Sequence, residues 1–304
     1  DADGRIAVSG GVDRAVRVWD VDGGTCRPVT ARQPSPVDAV GVSDDGTRAV
    51  SASRDGTIAV WSVATGERIG GLDRPLALGA NAAAFDRAGR RALVAGADAV
   101  IRLWNLDTGE CERELPGHAR KVTALWFGPD LAASAGTDGE VRLWNPRTGR
   151  CLRTLRGHTD QVMSVCLSPE DRHVLSAGGY TDRTIRLWDA ATGACLRVFG
   201  DEPDNPRAAD SVPEVRSTHV RFSPDGRFAI SGGTDATVRM WDLATGRCLS
   251  VLDGHSGPVN AVVISADARF ALSAGTDGAV RRWELDWDLR VERDRHPPGV
   301  SPAR

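Results

Sequence analysis

Lysine is nearly missing from this 304-residue chain. Lys121 is the only one, so almost all of the 38 positive side chains are arginine, set against 41 carboxylates and a net charge of −3. That balance provides no general attraction to phosphate backbones or anionic lipid, so neither nucleic acid nor membrane is an expected partner. The arginine excess reads as a bias of genomic composition. Long hydrophobic runs are scarce too: the uncharged stretch Leu76–Phe85 is too short and too rich in small residues to cross a bilayer. No glycine loop ends in Lys-Ser or Lys-Thr, and neither a Gly-x-Ser-x-Gly elbow nor His-Glu-x-x-His occurs. Asp1-Ala2-Asp3-Gly4 opens like a calcium loop but lacks the remaining ligands and the closing Glu. The chain therefore reads as non-enzymatic, with no cofactor and no metal. It has no starting Met and no signal peptide, and reads as a piece of a longer protein.

Aromatic residues make up only 5% of the chain, yet nine of them are Trp, so the indoles are where the pattern shows. Seven lie six residues after an Asp: Asp13 and Trp19, Asp55 and Trp61, Asp98 and Trp104, Asp138 and Trp144, Asp182 and Trp188, Asp235 and Trp241, Asp277 and Trp283. Successive tryptophans are separated by 42, 43, 40, 44, 53 and 42 residues. A period of about 40–45 residues marks a repeated supersecondary unit, and favours one closed array over two domains. Five of the six cysteines (Cys26, Cys111, Cys151, Cys195, Cys248) share one repeat position, just after a Thr-Gly or Gly-Thr turn. Each belongs to a different unit, so neither a disulfide framework nor a zinc site is the natural reading. They fit small apolar strand residues in a reducing compartment, and a cytoplasmic location is expected.

Each unit divides into four short alternating runs. In the fourth they are Val122–Phe127, Leu131–Ser134, Glu140–Trp144 and Cys151–Leu155, separated by Gly, Pro, Asn and Asp turns. Period-two alternation between such turns predicts strands and hairpins, and seven four-stranded antiparallel sheets predict an all-β, seven-bladed propeller. The expected blades are 1–31, 32–73, 74–115, 116–155, 156–199, 215–252 and 253–292, with an acidic, proline-rich insertion at 200–214 and a tail at 293–304. The first unit supplies three strands (Arg5–Ser9, Ala15–Trp19, Thr25–Val29) and no innermost one. Pro297, Pro298 and Pro302 make the tail a poor substitute, so the missing strand is expected upstream of Asp1, the alternative being a three-stranded first blade closed against the seventh.

Gly117-His118, Gly157-His158 and Gly254-His255 begin units, and Trp19-Asp20, Trp188-Asp189 and Trp241-Asp242 end third strands. On these residues the chain, from residue 1 to about 292, resembles the WD-repeat (WD40) family. The resemblance implies a buried polar chain in which His bridges Asp and a strand Ser, and the Ser meets the indole N–H. Mapped here it gives three tetrads: His118, Ser134, Asp138 and Trp144; His158, Ser176, Asp182 and Trp188; His255, Ser273, Asp277 and Trp283. Unit two has Pro34-Ser35-Pro36 where Gly-His is expected. Unit three has no His and has Val94 in the Ser place, so its chain cannot form and its blade is expected to be the loosest. Unit six keeps Ser231, Asp235 and Trp241 without a His, and unit five carries two extra residues in Gly178-Gly179-Tyr180-Thr181.

The resemblance also implies that partners dock on the face bearing the Asp turns. Carried over position by position, that ring includes Asp38, Arg54, Asn81, Lys121, Thr123, Thr137, Gln161, Met163, Thr181, Arg216, Thr218, Thr234, Asn260 and Thr276. The arginines two before each Trp (Arg17, Arg102, Arg142, Arg186, Arg239, Arg281) are expected to stack on apolar surface. The first functional reading is a monomeric interaction, scaffolding or sensing module. It resembles the repeat regions that bacterial multidomain signalling proteins attach to kinase or nucleotidase domains. Its partners would be other proteins or other domains of the parent chain. The alternative is a small-ligand-binding or catalytic propeller using the funnel mouth near His219 and the 200–214 insertion.

Overall fold

Alternation between buried and exposed residues, broken every few positions by turn residues, leaves this chain no way to bury its apolar side chains except as sheets stacked face to face. The computed structural model describes residues 1, 3–29, 31–72, 80–200 and 217–285. The insertion from 201, Arg216 and the tail 293–304 lie outside the described residues. Seven antiparallel sheets form a ring, a seven-bladed β-propeller. Blade 4 is representative: its strands Val122–Phe127, Ala132–Gly136, Val141–Asn145 and Arg150–Leu155 pair in chain order from the inside out. The first strands of consecutive blades lie against one another around the axis.

Three local devices recur. In all seven blades the Asp six before the Trp accepts the backbone N–H two residues on, at 3.0–3.2 Å, which closes the turn between the second and third strands. The residue after that Asp is left-handed every time: Arg14, Gly56, Ala99, Gly139, Arg183, Ala236 and Gly278 have φ between 55° and 87°. A register shift between the third and outer strands places Cys111, Cys151, Cys195 and Cys248 opposite Trp104, Trp144, Trp188 and Trp241. These cysteines lie at the surface or half-buried rather than in the core, and Cys166 is the buried one.

The core lies between blades. Trp144 packs among Leu93, Ile101 and Leu115 of blade 3, and Trp188 among Ala133, Val141 and Leu155 of blade 4. Trp61, Trp104, Trp241 and Trp283 likewise pack on the preceding blade. Each indole is therefore a wedge that fixes the angle to its neighbour. Blades 1 and 7 have three strands each among the described residues: Ile6–Gly10, Val16–Asp20 and Thr25–Pro28 in blade 1, and Val259–Ile264, Phe270–Gly275 and Val280–Glu284 in blade 7. They meet where Gly4 runs past blade 7; a Cβ there would sit 3.5 Å from that of Ser265.

Candidate functional site

Three blades build one buried chain of hydrogen bonds. In blade 4 the Trp144 indole donates to Ser134 Oγ (2.8 Å), Ser134 lies 2.7 Å from His118 Nε2, and His118 Nδ1 lies 2.9 Å from Asp138. Blade 5 repeats this with Trp188, Ser176, His158 and Asp182, and blade 7 with Trp283, Ser273, His255 and Asp277. One proton arrangement satisfies every member: the indole donates to Ser, Ser to Nε2, and Nδ1–H to the carboxylate. The carboxylate also takes the backbone N–H after the His, from Ala119, Thr159 or Ser256. Burial pushes His118 and His158 below the usual imidazole range and outweighs the pull of Asp138 and Asp182. His118 and His158 are accordingly neutral, and the Ser hydroxyl beside each imidazole is sealed in the core under the indole N–H it accepts, which fits a structural role for the chain.

The remaining blades solve the same problem differently. In blade 2, Gln33 stands where the His would be and its Nε2 donates to Ser51 Oγ at 2.6 Å, while the Trp61 indole donates to the same oxygen. Sequence reasoning missed this residue, although Gln33 precedes Ser51 by eighteen positions, the same offset as His158 to Ser176 and His255 to Ser273. Without a His, the turn Asp of blades 1, 3 and 6 turns to an arginine four residues on. The distances are 2.5 Å for Asp13 and Arg17, 2.7 Å for Asp98 and Arg102, and 2.6 Å for Asp235 and Arg239. In the last pair the approach is an ion pair, with Asp235 Oδ2 off the hydrogen-bond axis. Beyond the expected stacking on apolar surface, three of these arginines are counter-ions, Arg142 pairs with Glu140 at 2.7 Å, and Arg186 lies over its own blade's indole, 6.0 Å from the Trp188 centroid. Val94 does leave the Trp104 indole N–H buried without a partner.

The candidate docking positions gather at one end of the blades, because the turn before the third strand is tied to the start of the inner strand. Arg54 N–H donates to Pro36 O (2.9 Å), Thr137 to Lys121 O (2.8 Å), Gly179 to Gln161 O (2.7 Å) and Thr276 to Pro258 O (2.9 Å). Asp38 is clamped by both Arg54 Nε and Nη2, at 3.1 and 2.9 Å. Thr181 N–H donates to Asp160, and Asn81 N–H to Ala95 O. Thr123 turns its hydroxyl inward to Ala135 O and Val162 O, joining blades 4 and 5 rather than facing outward. Lys121, Thr181, Asn260 and Thr276 are exposed, and Thr137, Gln161, Met163 and Thr234 are partly so. Arg216 and the Thr218 side chain lie outside what is described. Tyr180, which sequence reasoning did not place in the ring, stands half-exposed beside Thr181.

The family model described as "WD domain, G-beta repeat" matches residues 1–20, 25–62, 109–145, 149–189, 211–242 and 246–284. The chain belongs to this WD-repeat family. The part of this WD-repeat chain left unmatched between 63 and 108 contains the first three strands of blade 3, the blade with Val94 and the unpaired indole. Among curated relatives, the Chlamydomonas reinhardtii "Cilia- and flagella-associated protein 52" is 41% identical over 61 residues, 20% of this chain and 10% of the relative. The Drosophila melanogaster "WD repeat-containing protein 82" is 52% identical over 42 residues, 14% and 13% respectively. The Arabidopsis thaliana "Notchless protein homolog" is 48% identical over 40 residues, 13% and 8%. The matches span one to one and a half repeats, at most 13% of these relatives' length, and all three organisms are eukaryotes.

Within this WD-repeat propeller His219 has a structural job. Its Nδ1 accepts the Val262 N–H of the next blade at 3.2 Å, as Ser164 Oγ accepts the Val220 N–H one blade earlier. Burial, with Arg221 nearby, holds the imidazole well below its usual range and neutral. Asp38, the other group on which funnel chemistry would draw, is already bound by Arg54.

Proposed function

We propose that this propeller is a non-enzymatic docking platform, monomeric, whose Asp-turn face receives a protein partner or another domain of its parent chain. WD-repeat proteins commonly mediate protein interactions, and that is the general class. The observation that carries the specific reading is the backbone tie between turn and inner-strand start in blades 2, 4, 5 and 7, which holds Arg54, Lys121, Thr137, Gln161, Thr181 and Thr276 on a stiff rim. Loops fixed by a rigid scaffold are where binding residues collect. Tyr180, 52% exposed, adds an aromatic anchor of the kind that dominates protein interfaces. In the parent protein this face serves regulation of an attached activity, in a cytoplasmic signalling setting.

The test is affinity capture from extract with the wild-type chain and with a Lys121→Glu, Gln161→Ala, Tyr180→Ala variant of unchanged thermal stability. The reading expects a defined protein captured by the wild type and lost by the variant. Equal capture by both, or none where the parent protein is active, overturns it.

A further inference from the structure

At the mouth opposite the Asp turns, the ends of the inner strands and the turns that follow them enclose a cavity of about 370 Å³. Phe85, Phe127, Phe222 and Trp126 give it an aromatic wall. On that wall lies one arginine that the docking face does not use. Arg221 projects from the inner strand of blade 6 across Cys166 of blade 5, and its guanidinium rests 4.7 Å from the Trp126 ring centroid of blade 4. Its N–H groups donate to Val220 O at 2.8 Å and to Cys166 Sγ, which leaves the others open. Among the described residues no carboxylate is within ion-pairing distance, whereas the buried Arg239 is paired with Asp235. An arginine side chain stays charged in any protein setting, and a partly desolvated guanidinium with open donors beside an aromatic floor lacks only an anion.

We propose that this mouth binds a small monocarboxylate with an aromatic or branched apolar body, the carboxylate held by Arg221 and the body set between Trp126, Phe127 and Phe222. The rest of the rim selects this class. Asp44 and Asp86 also line the cavity and, against Arg87 and Arg221, leave the lining with no surplus positive charge for a phosphate or polyanion. Arg87 offsets Asp44 from 3.9 Å, and Asp86 accepts the Arg90 and Arg91 backbone N–H groups, so both acids are occupied within the fold. A planar carboxylate matches the guanidinium fork, and the apolar body replaces water on the aromatic wall. The site lies at the other end of the inner strands from the proposed protein-docking rim, so either can fail without the other.

The experiment is calorimetric titration of the whole 304-residue chain with benzoate, benzyl alcohol and inorganic phosphate. Benzoate is expected to bind saturably at one site, benzyl alcohol at least about tenfold more weakly for want of the charge-assisted bonds, and phosphate not saturably. Arg221→Gln abolishes benzoate binding and Arg221→Lys leaves a weaker residue of it, whereas Arg172→Gln, an exposed arginine paired with Glu170, changes nothing. Equal affinity for benzoate and benzyl alcohol, absence of saturable benzoate binding, or phosphate binding as tight as benzoate overturns the assignment. These arms use the wild-type chain and do not depend on the variants folding.

Discussion

Ser134 holds two buried groups with one hydroxyl, taking the Trp144 indole N–H and meeting His118 Nε2. Trp104, in the same place of the preceding blade, has no such partner because Val94 replaces the Ser. Trp144 is 1% exposed and Trp104 only partly buried, and their N–H groups also differ in cost, since an unpaired buried donor forfeits about 1–3 kcal/mol. Trp144→Phe is therefore expected to destabilise the chain by about 1–2 kcal/mol more than Trp104→Phe, measured by denaturant unfolding at matched slope. The titrating groups make a second prediction. His118 and His158 sit below their usual range, so their contribution is complete above about pH 6.5 and declines as pH falls and the unfolded chain takes up protons. The carboxylates act lower down. Backbone and His255 hydrogen bonds hold Asp277 down to about 2, and Asp138 and Asp182 are also lowered, so this part is complete above about pH 4 and fades below it. Unfolding midpoints followed from pH 8 to 3 should fall in two stages; a midpoint that rises between pH 6.5 and 5 would contradict the neutral imidazoles.

At the scale of the blade, one vacancy is filled three ways: by His, by Gln33, or by pairing the turn Asp with an arginine. The fold class was legible because the Asp-to-Trp spacing repeats without slip, and the three full tetrads were legible because His, Ser, Asp and Trp all stand in phase. The arginine pairs were not, because Arg142 and Arg239 occupy the same repeat position and only the absence of a His in blade 6 decides which one meets the Asp. Burial sets what these pairs contribute. Asp235 and Arg239 are 4% and 8% exposed at their side chains, Asp13 and Arg17 42% and 37%. Arg239→Ala strands a buried carboxylate and should cost about 3–5 kcal/mol, whereas Arg17→Ala should cost less than about 1 kcal/mol. Equal losses would show that the blade 6 pair is solvated. The left-handed turn residue offers the opposite sign. Ala236, at φ 65°, carries a Cβ where Gly139 and Gly278 carry none, so Ala236→Gly should raise stability by about 1 kcal/mol.

For the whole ring, stability is a chain of blade-to-blade contacts, six of them made by an indole wedged on the preceding blade. Such an array is as strong as its closure. The strand Ala132–Gly136 of blade 4 is paired on both sides, by Val122–Phe127 and Val141–Asn145. The strand Ile6–Gly10 of blade 1 is paired only by Val16–Asp20 among the described residues. On blade 7, Val263 and Val280 are 47% and 36% exposed, whereas Cys166 and Val141, the residues in the same repeat positions of blades 5 and 4, are 0% exposed. A free strand edge opens without breaking the rest of a sheet, so its amides exchange through local opening rather than global unfolding. Hydrogen exchange on the 304-residue chain is therefore expected to be much faster for Ile6–Gly10 than for Ala132–Gly136. It should become uniform when a strand is supplied to the inner place of blade 1. Equal protection of the two strands from the outset would mean that this edge is already covered, and that the ring owes its stability to a closure as complete at blade 1 as at blade 4.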